Sequence, residues 1–162
     1  DFDIIVQGCN CFNTMGGGIA REIAQRYPLA AEVDRATRYG SLNKLGTYTE
    51  ADVGPYVIVN AYTQFNMSTG EDVFEYDSFA VILRKLAHEY GRHRFGLPYI
   101  GMGLAGGDKK RILAMIEDFA KKVSAQGGTV TLVEFGWHNN GVVLYCKQVL
   151  EIDFRHLTLK EL

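Results

Sequence analysis

The amino-acid sequence predicts an α/β fold with a largely parallel sheet and helices on both of its faces. Apolar runs of strand length alternate along the chain with amphipathic stretches that have helical spacing, and glycine-rich turns follow two of the apolar runs. The chain has 162 residues, of which 47% are hydrophobic and 22% are charged, and this is enough to bury one core. We therefore expect a single domain that includes residues 1–162.

The N-terminal half supplies two strands and two helices. Residues 2–6 form an apolar run that we interpret as a strand, and residues 18–27 follow as a helix that ends before Pro28. The spacing of apolar residues predicts a second helix over residues 29–39. Residues 56–62 are almost continuously apolar, which is typical of a strand that is covered on both faces.

The C-terminal half continues this alternation. Apolar residues recur at helical spacing in residues 76–90 and again in residues 108–124. Strands are predicted for residues 94–100 and 129–135, and a pair of glycines separates the last helix from the last of these strands. Strands that alternate with helices are typical of a parallel sheet.

Charge and cysteine content narrow the function classes. A net charge of -2 and a pI near 6.1 give no general electrostatic reason to expect binding to nucleic acid or to an anionic membrane. Cys9 and Cys11 are too close in sequence for a favourable disulfide, so a reducing, cytoplasmic setting fits best. We find no apolar run of about 18 residues, no signal sequence and no paired spacing of metal ligands. We therefore expect no membrane partner, no metal and no cofactor.

The segment after the first strand has the composition of an anion-binding loop. Gly16, Gly17 and Gly18 come directly before the first predicted helix. Glycine lets backbone N–H groups approach a ligand closely, and the start of a helix adds unpaired N–H groups and the positive end of the helix dipole. A phosphate or a diphosphate is the expected ligand.

Two further loops are expected at the same edge of the sheet, because ligands of parallel sheets bind beyond the carboxyl ends of the strands. They are residues 63–70 and the glycine-rich residues 101–108. A single glycine-rich loop is as consistent with a structural turn as with a ligand site. Two of them at one edge favour a diphosphate ligand.

Two common phosphate-binding signatures are absent from these loops. The run from Gly8 to Gly18 lacks the Gly-Lys-Ser/Thr ending of a P-loop, which argues against an NTPase. It also lacks the glycine spacing of the dinucleotide-binding fingerprint. A hydride-transfer enzyme is therefore disfavoured as well.

With these residues the chain resembles the macrodomain family of ADP-ribose-binding modules. The resemblance rests on the first strand, on Asn10, on the glycine triplet that opens a helix and on the later loop of residues 101–108. Residues 9–11, 45–47 and 60–64 are similar to the branch that contains ADP-ribose 1''-phosphate phosphatases. The resemblance covers roughly residues 2–135. It implies a three-layer α/β/α macrodomain-like fold with a mixed, largely parallel sheet.

The resemblance also implies a ligand and a set of site residues. The expected partners are ADP-ribose or ADP-ribose 1''-phosphate, and ADP-ribosylated macromolecules are a further expectation. Asn10 and Asp108 are the implied catalytic residues, Asn10 near the distal ribose and Asp108 beside a water, although a role as helix N-cap explains Asp108 equally well. The implied ligand-binding residues are Gln7, Gly8, Cys9, Asn13, Gly16, Gly17, Gly18, Ile19, Thr63, Gln64, Gly101, Met102, Gly103, Leu104, Ala105, Gly106 and Phe135.

Two departures from the family pattern bear on catalysis. Gln7 stands where the phosphatase branch commonly has a histidine, and glutamine is neither a nucleophile nor a general acid. Gln64 stands where another branch has a lysine. Two alternatives follow: a phosphatase-like hydrolase that depends on a positioned water, towards which we lean, and a non-catalytic ADP-ribose-binding module. An ADP-ribosyl-hydrolase that acts on modified macromolecules is a further alternative.

The C-terminal segment suggests a rearranged chain. Most macrodomains begin with an additional strand that ends in Gly-Asp, and here residues 1–6 lead directly into the first loop. Asn140 and Gly141 form a strong turn signal before an apolar run at residues 142–150, which could supply the missing strand by circular permutation. Gln148 and Val149 would then replace the usual Gly-Asp. An ordinary additional strand at the C-terminal end is the alternative.

Overall fold

The computed structural model describes residues 2–66, 73–103, 105–138 and 141–149, and it describes only the backbone for the strand residues from 135 to 148. Within these residues, the strands are β1 (Ile4–Cys9), β2 (Tyr48–Asp52), β3 (Val57–Tyr62), β4 (Arg94–Leu97), β5 (Thr129–His138) and β6 (Gly141–Gln148). The helices in the same residues are α1 (Gly18–Arg26), α2 (Pro28–Arg35), α3 (Tyr76–Tyr90) and α4 (Lys109–Ala125). A short 3-10 helix, Leu42–Lys44, precedes β2.

All of these strands belong to one sheet, in the order β2-β3-β1-β4-β5-β6. The four inner strands, β3, β1, β4 and β5, pair in parallel. The edge strands β2 and β6 pair antiparallel with β3 and β5. The prediction of a mixed, largely parallel sheet is confirmed. Cys9 pairs with Tyr62, so β1 and β3 end level with each other and their following loops leave the sheet side by side.

The helices cover both faces of the sheet, which confirms the three-layer α/β/α architecture. On one face, Ile23 of α1 and Ala30 of α2 pack with Ile58 of β3. On the other face, α3 and α4 bury their apolar sides in the main core, for example Ile82 and Ile116. Each large aliphatic side chain that is fully buried contributes about 1.5–3 kcal/mol to folding.

Several predicted elements have shifted ends, each with a local cause. The helix predicted for residues 29–39 is α2, which begins at Pro28 and ends at Arg35. The Thr37 hydroxyl donates to the Asp34 carbonyl at 2.5 Å, which closes the last turn. The strand predicted for residues 94–100 ends at Leu97, because Pro98 has no N–H for the ladder.

The predicted C-terminal strand lies in the sheet. As β6 it pairs antiparallel with β5, from Gly141 opposite His138 to Gln148 opposite Thr131. This edge position is compatible with both the permuted strand and the ordinary additional strand, so circular permutation stays a prediction. No helix in the described ranges combines the length and the apolar composition that crossing a membrane requires.

Candidate functional site

Three loops leave the carboxyl edge of the parallel strands, and their described residues are 10–17 after β1, 63–66 and 73–75 after β3, and 98–103 and 105–108 after β4. Hydrogen bonds join the first two loops. The Cys11 N–H donates to the Phe65 carbonyl at 2.9 Å, and the Thr63 N–H donates to the Cys9 carbonyl at 3.2 Å. The first loop is therefore attached to its neighbour close to the end of β1.

The start of α1 is an open helix N-terminus. Gly17 is its N-cap, with a φ of -137°, and no side chain caps the helix. A Cβ atom built on Gly16 or Gly17 would meet nothing within 4 Å. The first N–H groups of a helix have no partner within the helix, and they carry the positive end of its dipole. The predicted glycine loop therefore presents backbone donors to open space.

The opposite glycine loop combines one tight turn with one open position. Gly101 has a φ of +76°, and a Cβ atom there would lie 2.4 Å from the Phe74 ring, so this glycine is required by the fold. The Gly107 N–H donates to the Gly101 carbonyl at 2.8 Å and closes the turn. Gly103 is exposed, and a Cβ atom there would meet nothing within 4 Å. The two loops thus both have an open glycine position.

Other predicted residues lie in these two loops or in the strand and helix next to them. The Gly106 N–H donates to the Gly103 carbonyl at 3.0 Å, and Ala105 is buried. Met102 packs against the main core. A Cβ atom on Gly8 would lie 3.0 Å from Ile100 and Thr63, so Gly8 allows a close approach between loops. Gly18 and Ile19 are the first two residues of α1, and the Ile19 side chain packs against the apolar cluster that includes Ile23 and Ile58.

Asp108 is the N-cap of α4. Its Oδ1 accepts hydrogen bonds from the backbone N–H groups of Lys110 at 3.0 Å and Arg111 at 3.3 Å. Its own N–H donates to the Tyr76 hydroxyl at 2.8 Å. The capping alternative therefore describes the contacts that Asp108 makes. The side chain is exposed, and its catalytic role stays a prediction.

Asn10 shapes the first loop from within. The Asn10 amide donates to the Thr14 hydroxyl at 2.9 Å, and its Oδ1 accepts from the Phe12 N–H at 2.8 Å. These bonds fix the turn that leads to the glycines. The predicted contact of Asn10 with the distal ribose is not tested by these contacts.

Asn13 anchors the same loop to the rest of the molecule. It has a left-handed backbone, with a φ of +55°, and its amide donates to the Thr37 carbonyl at 3.0 Å. Its Oδ1 accepts from Lys44 Nζ at 2.6 Å and lies 3.1 Å from the Thr37 hydroxyl, whose one hydrogen it shares with the Asp34 carbonyl. The contacts of Asn13 are thus with the protein, and its predicted ligand contact is also untested.

The two glutamines that mark the departures from the family pattern are bonded to the protein. Gln7 is fully buried, and its amide donates to Oδ1 of Asn60 at 2.8 Å. Oε1 of Gln7 has no hydrogen-bond partner among the described residues. The Gln64 amide donates to the Asn66 carbonyl at 2.8 Å, and Thr63 is buried beside it. The histidine position of the phosphatase branch is therefore an interior position in this chain.

Two thiols lie where β1 leads into the first loop, Cys9 as the last residue of β1 and Cys11 within the loop. Cys9 and Cys11 are buried, and burial raises the pKa of both thiols above its usual value. A thiol with a raised pKa is a poor nucleophile. Within the ranges that the structure describes, no three His, Cys, Asp or Glu side chains are close enough together to hold a metal ion.

Two predicted ligand residues have no described side chain. Leu104 lies outside the described residues. Only the backbone of Phe135 is described, in β5 opposite Leu144. Their predicted contacts with the ligand stay predictions.

The sequence interpretation missed a buried polar network behind the first loop. Lys44 is 6% exposed, and its Nζ lies 4.7 Å from the centre of the Tyr62 ring. The Tyr62 hydroxyl donates to Oδ1 of the buried Asp34 at 2.8 Å. Lys44 directly precedes residues 45–47, which carry part of the family resemblance. Lysine is rarely buried, so its sequence position alone gave no signal of this role.

A second missed contact lies beside Asp108. The guanidinium of Arg111 lies 3.8 Å from the centre of the Tyr76 ring, and Tyr76 is the residue whose hydroxyl accepts from the Asp108 N–H. A cation over an aromatic face is held in place by the ring quadrupole. The first turn of α4, directly after the third loop, therefore carries a positioned positive charge.

No family model matches the chain, and comparison with known proteins finds similarity in sequence to a phage protein. The chain is 30% identical over 129 residues to the uncharacterised 17.5 kDa protein of the tk-vs intergenic region of Enterobacteria phage T4. The match covers 74% of this chain and 81% of the phage protein.

Solved structures share the fold at lower identity. A macrodomain protein from Streptomyces coelicolor is 24% identical with a TM-score of 0.64, and the match covers 83% of this chain and 89% of that one. The macrodomain of Thermus aquaticus DarG is 19% identical with a TM-score of 0.65, covering 82% and 89%. Thermosipho africanus DarTG, solved in complex with ADP-ribose, is 13% identical with a TM-score of 0.65, covering 81% and 38%.

Proposed function

The chain belongs to the family of the phage T4 17.5 kDa protein and has the macrodomain fold, and on this basis we propose that it binds ADP-ribose. One observation carries the proposal: two glycine-containing loops, each with an unobstructed glycine, lie at the same edge of the sheet. One of these loops leads into α1, whose N-terminus has no side-chain cap. The solved complex of Thermosipho africanus DarTG with ADP-ribose supports the same ligand.

The diphosphate is the part of the ligand that these loops suit. Backbone N–H groups at Gly16, Gly17 and Ile19 would donate from one side, and those at Gly103 and Ala105 from the other. Backbone donors at a helix N-terminus bind an anion without needing a basic side chain. The overall charge of -2 is therefore compatible with an anionic ligand.

Replacing Gly17 tests the proposal with little risk to the fold. Its extended backbone suits any residue and the space around it is empty, so Gly17→Ala is expected to fold, with a loss of less than about 1 kcal/mol because alanine is a poorer N-cap than glycine. The added methyl group would occupy the space that the ligand needs. We expect calorimetric titration to show ADP-ribose binding to the wild type and binding about tenfold weaker or worse to Gly17→Ala.

Gly54 provides the matched control. It lies in the turn between β2 and β3, at the other end of the sheet from the three loops, and has a φ of +105°. Gly54→Ala is therefore expected to lose about 1 kcal/mol of stability and to keep its affinity for ADP-ribose. A wild type that fails to bind, or a Gly17→Ala variant that binds like the wild type, contradicts the proposal.

Hydrolysis of ADP-ribose 1''-phosphate is the second candidate function, and one observation favours it. Both capping bonds of Asp108 use Oδ1, so within the described contacts Oδ2 of this exposed carboxylate is free to accept a proton from water. The reaction would consume that water and release ADP-ribose and phosphate. Position 7 supplies no second catalytic group, because Gln7 is buried and bonded to Asn60.

Phosphate release separates the hydrolase from the non-catalytic binding module. A wild type that binds ADP-ribose 1''-phosphate and releases phosphate, with release lost in Asp108→Asn, supports the hydrolase. Binding without release identifies a binding module. ADP-ribosylated macromolecules are the third class of ligand. Release of ADP-ribose from a modified protein or oligonucleotide would identify an ADP-ribosyl-hydrolase.

A further inference from the structure

We propose that Lys44 is the positioning residue of the first ligand loop, residues 10–17. The ligand is the ADP-ribose of the proposed function, and this inference rests on that proposal for its effect on binding. The contacts of Lys44 with the loop are present without a ligand. Lys44 lies at the end of the 3-10 helix Leu42–Lys44, 33 and 31 positions from the two loop residues that it contacts, and is 6% exposed. A buried lysine needs partners for its ammonium group, and both of its hydrogen-bond acceptors belong to this loop.

The two acceptors fix the loop at separate points. Nζ of Lys44 donates to the Cys11 carbonyl at 3.1 Å and to Oδ1 of Asn13 at 2.6 Å. Hydrogen bonds that involve a charged group are stronger than neutral ones. One ammonium group therefore binds the chain at the residues on both sides of Phe12, shortly before the glycine triplet.

Asn13 has an unfavourable backbone conformation that these hydrogen bonds help to hold. Its φ of +55° is left-handed, a conformation that asparagine tolerates better than most residues but that still costs free energy. Thr37 and Lys44 bond to its side chain from the end of α2 and from the 3-10 helix. This residue sets the direction in which the chain reaches Gly16 and Gly17, so its anchoring determines where their N–H groups point.

The charge of Lys44 is not cancelled by a direct ion pair. Among the residues that the structure describes, the ion pairs are Arg94 with Asp3 and Lys121 with Glu117. The ammonium instead lies against the Tyr62 ring, whose hydroxyl bonds to Asp34. A buried positive charge behind a loop that binds a diphosphate adds to the attraction for that anion.

The test compares Lys44→Met with Lys44→Arg and with a matched lysine. Methionine keeps much of the length and removes the donor, whereas arginine keeps both donor and charge. Lys85→Met is the control, because Lys85 also donates to a backbone carbonyl, that of Gly46 at 3.2 Å, without touching the first loop. Hydrogen–deuterium exchange is measured without ligand, and the ADP-ribose Kd is measured by calorimetry.

We expect exchange in residues 10–17 to be about tenfold faster in Lys44→Met, with α3 and α4 unchanged, and the Kd to rise about tenfold. Lys44→Arg should recover most of both values, and Lys85→Met should change neither. If Lys44→Met does not fold, Asn13→Gly removes the Lys44 bond together with the Thr37 bonds and relieves the backbone strain, and it should give faster loop exchange than Thr37→Val, which removes only the hydroxyl contact of Thr37.

Unchanged exchange in residues 10–17, or an equal increase over the whole chain, would overturn the inference. The two proposals fail in different ways. A wild type that does not bind ADP-ribose overturns the proposed function, and the exchange data still decide the role of Lys44.

Discussion

The phenol of Tyr62, the last residue of β3, donates a 2.8 Å hydrogen bond to the carboxylate of Asp34 in α2. Both side chains are 1% exposed. Burial raises the pKa of Tyr62 above its usual value, with Asp34 adding to the shift, so the hydroxyl stays protonated and donates throughout the neutral range. The bond joins the helix layer to the sheet directly beneath the candidate site.

Tyr62→Phe should therefore destabilise the protein. It leaves the buried Asp34 carboxylate without this donor, and an unpaired buried acceptor costs about 1–3 kcal/mol. Urea unfolding at neutral pH measures the loss. Tyr56→Phe is the control, because the Tyr56 hydroxyl bonds to Tyr27 in a more exposed pair and its loss should cost less. Equal losses of unfolding free energy in the two variants would mean that the bond to Asp34 stabilises the protein no more than the Tyr56–Tyr27 bond does.

Two substitutions at Asp108 separate its cap from its predicted chemistry. Asparagine is as good an N-cap as aspartate, so Asp108→Asn should keep the stability of α4, whereas Asp108→Ala should lose about 1 kcal/mol. Only the carboxylate can accept a proton from water, so both variants should lose phosphate release. Thermal unfolding and phosphate release are measured on the same samples. Full activity in Asp108→Asn would leave Asp108 with the capping role alone.

The ion pair of Asp3 with Arg94 should give the fold a modest dependence on acid pH. Arg94 donates to both carboxylate oxygens and lowers the pKa of Asp3 from 3.8 to about 2. A lowered pKa in the folded state stabilises the protein above the unfolded value, and this contribution disappears as the pH falls through the folded value.

Asp3→Asn should accordingly lose less than about 1 kcal/mol near neutral pH, because Arg94 is half exposed, and should match the wild type near pH 2. Urea unfolding at the two pH values measures this. Glu117→Gln, which removes the exposed pair with Lys121, is the control and should have a smaller effect. A loss in Asp3→Asn that persists at low pH would contradict the ion-pair explanation.

Neither Cys9 nor Cys11 should react with thiol reagents in the folded protein. Burial raises the pKa of both thiols, so the reactive thiolate is scarce near pH 8, and the side chains are inaccessible. A Cys146→Ser background leaves only these two thiols, and reagent uptake should require denaturant. Rapid labelling of the native protein would contradict the burial of these thiols.

Sequence periodicity predicted most of the architecture but not its polar edge. The helix α3 has the predicted bounds, because five buried apolar residues repeat along one face. The strand β2 was not predicted, because Ala51 is its only buried residue and the other residues are polar or partly exposed, as is common for an edge strand.

In the candidate site, too, features set by local sequence could be predicted, whereas contacts between distant residues could not. The glycine loops could be found from sequence, since glycine has few reasons to cluster after a strand. The difference between Gly101, which the fold requires, and Gly17, which faces open space, depends on neighbours distant in sequence. The Lys44 contacts span more than 30 positions, and no local pattern contains them.

The most direct test of the account is a titration of isotope-labelled protein with ADP-ribose, followed by the NMR shifts of backbone amides. Binding between the two glycine loops predicts the largest shifts at Gly16, Gly17, Gly103 and Ala105, saturating together. Shifts confined to the outer groove between α3 and α4, which Leu83 and Met115 line, or no shifts at all, would contradict it.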